Sequence, residues 1–363
     1  MATVSLCMIV RNEEEVIARC LDCVSDLVDE IIIVDTGSTD KTKEIVSKYT
    51  SGIYDFEWID DFSAARNFSF SKASMDYIMW LDADDILLEE DREKFKQLKQ
   101  TLDPVFDIVM MKYNTGFDEW GNVTLSYFRE RLMKRTKNYK WVEPIHECID
   151  IGGNVTNVDI CITHRKMHVQ EKDRNLKIFE NIVANNKELS PRCTYYYSRE
   201  LQNAGRYYEA VMYFTRFLDS GKGWMEDNIS ACCGLSVCYK NLNDPKNRLR
   251  SLLRSFEYDT PRADICCELG LYFLGNYDYY KAIFWFELAT NVKPPRLNWG
   301  FELHDCSGFI PNLQLCVCYD RLGNIEEAKK YNRKAGEFKP GHPSVLYNIK
   351  YFDGLANKQS EAK

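Results

Sequence analysis

An α/β domain built on a mostly parallel sheet, followed by an all-α domain of repeated helix pairs, is the fold this sequence predicts. Strand-like and helix-like runs alternate through about residue 165. After about residue 172 the strand signal gives way to helical periodicity. Within that second half, Gly, Ala, aromatic and Pro recur in one order. Strands alternating with helices argue for a layered fold with parallel pairing. A recurring helical unit argues for stacked repeats. The expected domains are residues 1–170 and 171–363.

The first half justifies itself element by element. Val4–Val10 is an apolar strand, and residues 16–24 follow with helical spacing. Glu30–Asp35 is a nearly continuous apolar run of the kind buried in a parallel sheet. Thr36-Gly37-Ser38-Thr39-Asp40 supplies turn and cap chemistry before a helix near 41–49. A short strand at 53–56, a helix at 63–72 and the strand 77–81 continue the alternation. A helix at 89–102 and a strand at 107–113 complete it. Residues 116–163 read as a β-rich extension with loops.

The second half holds units marked by Gly205, Gly275 and Gly323, with a degenerate unit around Leu242-Asn243. The wider step from Gly275 to Gly323 predicts an insertion, placed at 296–311. The pattern resembles tetratricopeptide repeats, which stack into a superhelix with a concave binding surface.

Composition narrows the class. Apolar residues make 45% and charged residues 28% of the 363, the balance of an ordinary globular protein. The net charge of −8 argues against a protein whose affinity comes from neutralising nucleic-acid phosphates. The chain has no run of the ~20 apolar residues a membrane span needs. Its N-terminus lacks signal-peptide pattern, so a cytoplasmic protein is expected. The 14 scattered cysteines then read as small buried hydrophobes.

Ligands of open α/β sheets bind beyond the carboxyl ends of the strands. Three such ends here are polar: Arg11-Asn12-Glu13, Asp35–Asp40 in sequence, and Asp82-Ala83-Asp84-Asp85. Converging acids repel one another unless a cation or donors sit among them. Asp82 and Asp84, two apart after a buried strand, can share a divalent cation, and His164 can complete a carboxylate site. Arg66 falls in the first turns of a helix, a position suited to an anion. Glu147 and His146 are of the right type for a general base. No P-loop, Gly-x-Gly-x-x-Gly or Gly-x-Ser-x-Gly motif is present.

In order, the motifs Met8-Ile9-Val10-Arg11-Asn12-Glu13-Glu14, Ile32-Ile33-Val34-Asp35-Thr36-Gly37-Ser38-Thr39-Asp40, Asp61-Phe62-Ser63-Ala64-Ala65-Arg66-Asn67 and Trp80-Leu81-Asp82-Ala83-Asp84-Asp85 resemble the family 2 glycosyltransferases. With the helical repeats, the chain is similar to the bacterial branch of peptide S-glycosyltransferases and protein O-glycosyltransferases. The resemblance implies a GT-A fold and an inverting, metal-dependent transfer of a hexose or N-acetylhexosamine. A UDP-sugar is the implied donor, and a peptide or protein the acceptor. It implies that Val10, Arg11, Asn12, Glu13, Asp35, Arg66, Asp82 and Ala83 bind the nucleotide sugar. It assigns Mn2+ or Mg2+ to Asp84, Asp82 and His164, and base catalysis to Glu147 with His146. The acidic base motif of many members is not clearly matched, which leaves Asp118 and Glu119 as alternatives. The repeats would grip the acceptor or carry a homodimer. A glycan acceptor such as a lipopolysaccharide core, and a non-catalytic scaffold, are the competing readings.

Overall fold

The computed structural model describes residues 1–167, 173–293 and 299–361. The chain divides into two units, Met1–Leu189 and Ser190–Lys363.

The first unit opens with β1 (Val4–Val10), α1 (Ile17–Val24), β2 (Glu30–Asp35), α2 (Thr42–Val46), β3 (Ile53–Asp55), α3 (Phe62–Phe70) and β4 (Tyr77–Trp80). It continues through β5 (Asp85–Ile86), α4 (Glu89–Thr101), β6 (Ile108–Phe117), β7 (Val123–Lys134), β8 (Trp141–Val142), β9 (Cys148–Ile149), β10 (Val155–His164) and α5 (Arg174–Ala184). The main sheet runs β3-β2-β1-β4-β7-β6-β10-β5. β1 pairs in parallel with both β2 and β4. Their carboxyl ends therefore emerge side by side, at Val10, Asp35 and Trp80.

The expected β-rich extension is part of this sheet. β7 slots between β4 and β6, antiparallel to both, with Met79 opposite Leu132 and Val109 opposite Leu132 on the other side. β10 returns parallel to β6 and ends against β5, pairing His164 with Asp85. This last pairing carries a histidine from a distant stretch of sequence to the end of β4. Beneath the sheet, α1 buries Ile17, Cys20, Leu21 and Val24, one stripe at helical spacing, against the strands.

The second unit is helical: α6 (Pro191–Asn203), α7 (Tyr207–Asp219), α8 (Met225–Asn241), α9 (Pro245–Arg254), α10 (Ala263–Gly275), α11 (Tyr279–Asn291), α12 (Phe309–Arg321), α13 (Ile325–Phe338) and α14 (Pro343–Glu361). The connection within each of the first four pairs uses one device. A residue with positive φ ends the first helix, the next residue follows, and the second helix begins. The positive-φ residues are Gly205, Asn243, Tyr277 and Gly323. In the last three turns the next residue, Asp244, Asp278 or Asn324, accepts the backbone N–H three residues on. Each caps an orphan donor of the second helix. The repeat register thus passes through Tyr277, and Gly275 is the last residue of α10. Of the expected insertion, 296–298 lie outside the described residues; His304–Ser307 form a short 3-10 turn before α12.

Among the described residues all cysteines are free, most of them buried. No helix among them is long and apolar enough to cross a membrane.

Tyr277 occupies a conformation that costs a non-glycine residue roughly 1–2 kcal/mol, and its side chain is 79% exposed. Little packing is lost by removing it. Tyr277→Gly is expected to raise the stability of the helical unit by about 1 kcal/mol, read as a higher midpoint in urea unfolding.

Candidate active site

The loops after β1 and β2 are stitched together by backbone donors. Asp35 is 1% exposed. Its Oδ1 accepts the amides of Gly37 (2.9 Å) and Ser38 (2.8 Å). Gly37 at φ +104° permits that turn. Asn12, itself at φ +56°, donates its amide to Ser38 Oγ (2.9 Å). Asn12 Oδ1 accepts the Thr39 amide (2.8 Å). The Glu13 amide donates to Thr42 Oγ1 (2.7 Å). These bonds fix Arg11, Asn12 and Glu13 beside the Asp35 loop. Among the described residues, Asp35 Oδ2 is buried with no hydrogen-bond partner. A buried acceptor left open is costly, and it marks a place where a donor on a ligand would be welcome.

The third strand end is more heavily charged. The Asp82 amide donates to Asp85 Oδ2 (3.1 Å), and the Asp85 amide to the Asp82 carbonyl (3.0 Å). Ala83, between them, is buried in the core. The Arg165 amide, just past β10, donates to the Asp84 carbonyl (2.9 Å). His164 Nδ1 lies 3.2 Å from Asp84 and 3.3 Å from Asp85. Asp84, Asp85 and His164 each offer a ligand atom, all within 4.8 Å of one another.

Asp82 stands outside that trio. Its Oδ1 accepts from Arg66 Nη2 (2.8 Å), while Arg66 Nε donates to Glu147 (2.6 Å). The guanidinium carbon lies 4.8 and 4.9 Å from the ring centroids of Trp80 and Trp141, which themselves meet edge to face. It is held by cation–π contact as well as by charge. Sequence reasoning set Arg66 toward an anionic ligand; in the structure its charge faces two carboxylates. Glu147 closes the tight β8–β9 turn, in which Glu143 and His146 both take positive φ. The His146 ring stacks on Phe179 of α5, planes 12° apart. Asp118 closes the β6–β7 turn, accepting the amides of Trp120 and Asn122.

Electrostatics follow the crowding. Burial, then the charges of Asp84, Asp82 and Asp40, push the Glu13 carboxyl up to about 7. Burial alone would raise Asp82 too, but Arg66, with Arg131 and His164, holds it below the ordinary carboxylate range. Burial works against a charge on His164, yet its hydrogen bonds to Asp84 and Asp85 push it up to about 10. Acidic neighbours contribute to both upward shifts. Oxygen donors with one imidazole suit a divalent cation of the Mg2+ or Mn2+ type.

Sequence reasoning did not assign Asp85, Tyr113 or Arg131. Tyr113 donates to Asp85 Oδ1 (2.7 Å), and Arg131 Nη1 lies 3.2 Å from Asp85 Oδ2. The sequence around Arg131 carries no local signal of this pairing, since an arginine in a strand is equally compatible with a solvent-facing side chain.

Residues 5–155 match the family model for Glycosyl transferase family 2. The first unit carries that glycosyltransferase domain, and a tetratricopeptide-like helical region follows it. A TPR repeat-containing protein of Synechococcus elongatus is 38% identical over 151 residues, 41% of this chain and 36% of its own. The SPbeta prophage-derived glycosyltransferase SunS of Bacillus subtilis is 27% identical over 233 residues, 61% of this chain and 54% of its own. The chain thus spans between about a third and about half of these relatives' lengths. A crystal structure of S. aureus TarS 1–349 aligns over 94% of this chain and 93% of its own, with 12% identity and a TM-score of 0.39.

Arg66 is 7% exposed and faces two carboxylates. Breaking a buried pair by removing one partner strands a charge. Arg66→Met is expected to cost about 3 kcal/mol, read by chemical denaturation. Glu147→Gln, which leaves Arg66 paired with Asp82, is expected to cost clearly less.

Proposed function

We propose that this chain is an inverting glycosyltransferase that moves a hexose or N-acetylhexosamine from a UDP-sugar to a peptide or protein acceptor, with Mn2+ or Mg2+ bound. The observation that carries the reading is the convergence of Glu13, Asp35, Asp82 and Asp84 at the ends of β1, β2 and β4 within the segment that matches Glycosyl transferase family 2, with His164, beyond that segment, against Asp84.

The roles follow from the chemistry of each group. The open Oδ2 of Asp35 suits an N–H of the base or a ribose hydroxyl. Arg11, Asn12 and Glu13, fixed to the same loop, would line the nucleoside with Val10. Asp82 and Ala83 would meet the ribose side of the diphosphate, with Asp82 oriented by Arg66. Asp84 and His164 would hold the cation. That ion, when bound, supplies positive charge to the leaving diphosphate. Glu147 would take the acceptor proton, steered by Arg66 Nε, with His146 beside it in the same turn. A thiol, ionising near ~8.5, asks less of a general base than an alcohol does. Both Cys and Ser/Thr acceptors remain within the proposal. The helical unit would bind the acceptor or join two copies, and the working site would be the cytoplasm.

A glycan acceptor is the second reading. It is favoured by likeness to the lipopolysaccharide core biosynthesis glycosyltransferase LpsC of Rhizobium meliloti, 26% identical over 153 residues.

UDP release from a panel of UDP-sugars is the direct test. One donor is expected to be hydrolysed slowly with Mn2+ or Mg2+ present. EDTA and Asp84→Asn should each lower that rate at least about 100-fold, the order expected when a charge-stabilising group is lost. Absence of UDP release and of UDP binding across the panel would sink the proposal. Mass shifts on peptide against glycan acceptors decide between the two readings.

A further inference from the structure

We infer that Asp85, Tyr113 and Arg131 form a buried positioning set for His164, and that Asp85 is not itself a metal ligand. The inference rests on the reading of Asp84 and His164 as the pair that holds the cation.

Asp85 lies in the metal-ligand cluster by distance, yet both its oxygens are engaged. Oδ1 accepts the Tyr113 hydroxyl at 2.7 Å and faces His164 Nδ1 at 3.3 Å. Oδ2 accepts the Asp82 amide at 3.1 Å and Arg131 Nη1 at 3.2 Å. A carboxylate has about four lone-pair sites, and these donors occupy them. A cation binding Asp85 would have to displace one.

Arg131 makes such displacement costly. Its side chain and that of Asp85 have no exposed surface. Its guanidinium carbon lies 3.9 Å from the Trp80 ring centroid and 4.4 Å from that of Tyr113. Nη1 also donates to the Trp80 carbonyl at 3.0 Å. Among the described residues Nε and Nη2 are buried without partners, and Asp85 is the carboxylate in direct contact with this guanidinium. Removing it would strand a buried cation. Asp84, by contrast, has a side chain 23% exposed and is free to turn a carboxylate oxygen toward a cation.

The remaining member is His164. Its Nδ1 lies 3.1 Å from Tyr113 Oη, 3.2 Å from Asp84 Oδ1 and 3.3 Å from Asp85 Oδ1. Carboxylates only accept, so Nδ1 carries the hydrogen. In the neutral ring the lone pair is then on Nε2. Fixing the tautomer and orientation of a ligating histidine through its other nitrogen is the usual work of a carboxylate behind a metal site. Tyr113 ties that carboxylate and that ring to each other, and Arg131 pins the carboxylate in place.

Mn2+ binding to the full chain, followed by the EPR signal of free Mn2+, tests this. Tyr113→Phe removes one hydroxyl and keeps the ring under Arg131, so folding should stand, checked by thermal melting. Expected is Mn2+ binding at least about 10-fold weaker in Tyr113→Phe, with melting near wild type and binding abolished in Asp84→Asn. A merely structural role would lower the melting temperature and leave the affinity of the folded protein unchanged. Wild-type or tighter Mn2+ affinity in Tyr113→Phe overturns the inference alone; tighter binding is what a ligating Asp85 with a freed lone pair would give. A wild-type chain that binds no Mn2+ overturns the metal reading and this inference together.

Discussion

The buried ion pair between Asp85 and Arg131 is the constraint around which the first unit is arranged. Two charges without exposed surface cost several kcal/mol each in lost hydration, and their mutual attraction offsets this only with good geometry and further partners. The fold provides those partners from four directions. β4 offers the Trp80 carbonyl, β6 offers Tyr113, β10 offers His164, and the Asp82 amide closes the turn. The antiparallel insertion of β7 between β4 and β6 is what delivers Arg131 to this point. Sheet order and site geometry are therefore one problem: a change in strand order would leave a buried charge alone.

Around that pair, the acids of the strand ends are distributed by what neutralises them. Asp82 is matched by Arg66, which also reaches Glu147, so the two carboxylates share one fixed cation. Asp84 is matched by His164. Among the described residues Glu13 has no such match, and burial, then its acidic neighbours, push its carboxyl up. Asp35 is satisfied on one oxygen only. The unmatched groups lie on the loops after β1 and β2, the edge where ligands of parallel sheets bind. The site is settled toward the core and unsettled toward its mouth, as expected where a charged ligand completes the balance.

Much of this was legible in the sequence because it rests on local pattern. β1, β2 and β4 are short apolar runs followed at once by polar loops, and such strands announce both their burial and their ends. The Asp35 turn declares itself by turn chemistry. What stayed hidden depends on contacts across long separations. Asp85 meets Arg131 across 46 positions and His164 across 79. Nothing local distinguishes Arg131 from an edge-strand arginine pointing to solvent. The insertion of β7 into the sheet was equally invisible, since period-2 alternation marks a strand and not its neighbours. In the helical unit, glycine marked the repeat turns where glycine is used. The same backbone conformation at Tyr277 carried no signal, and the register read from Gly275 moved accordingly.

The positions where local rules are broken separate the two units by purpose. In the helical unit, Gly205, Asn243, Tyr277 and Gly323 take positive φ at one recurring turn. There the strain serves architecture: it reverses the chain so that the next helix can pack. In the first unit, Asn12, Glu143 and His146 take positive φ beside the candidate nucleotide loop and in the β8–β9 turn. Among the described residues, buried side-chain atoms without hydrogen-bond partners occur in both units, those of Asp35, Arg131 and Trp141 in the first and those of Ser236, Arg248 and Asn312 in the second. Strained backbone persists only where the surroundings over-determine it, and in this unit it occurs at Asp60, Asn138 and Asn186 as well. The β8–β9 turn belongs to that set by its backbone alone. Two positive-φ residues of one turn, Glu143 and His146, precede Glu147, which meets Arg66, in a hairpin with a single two-residue ladder. A hairpin so short contributes little stability of its own, and its strained turn is best accounted for by the placement of Glu147.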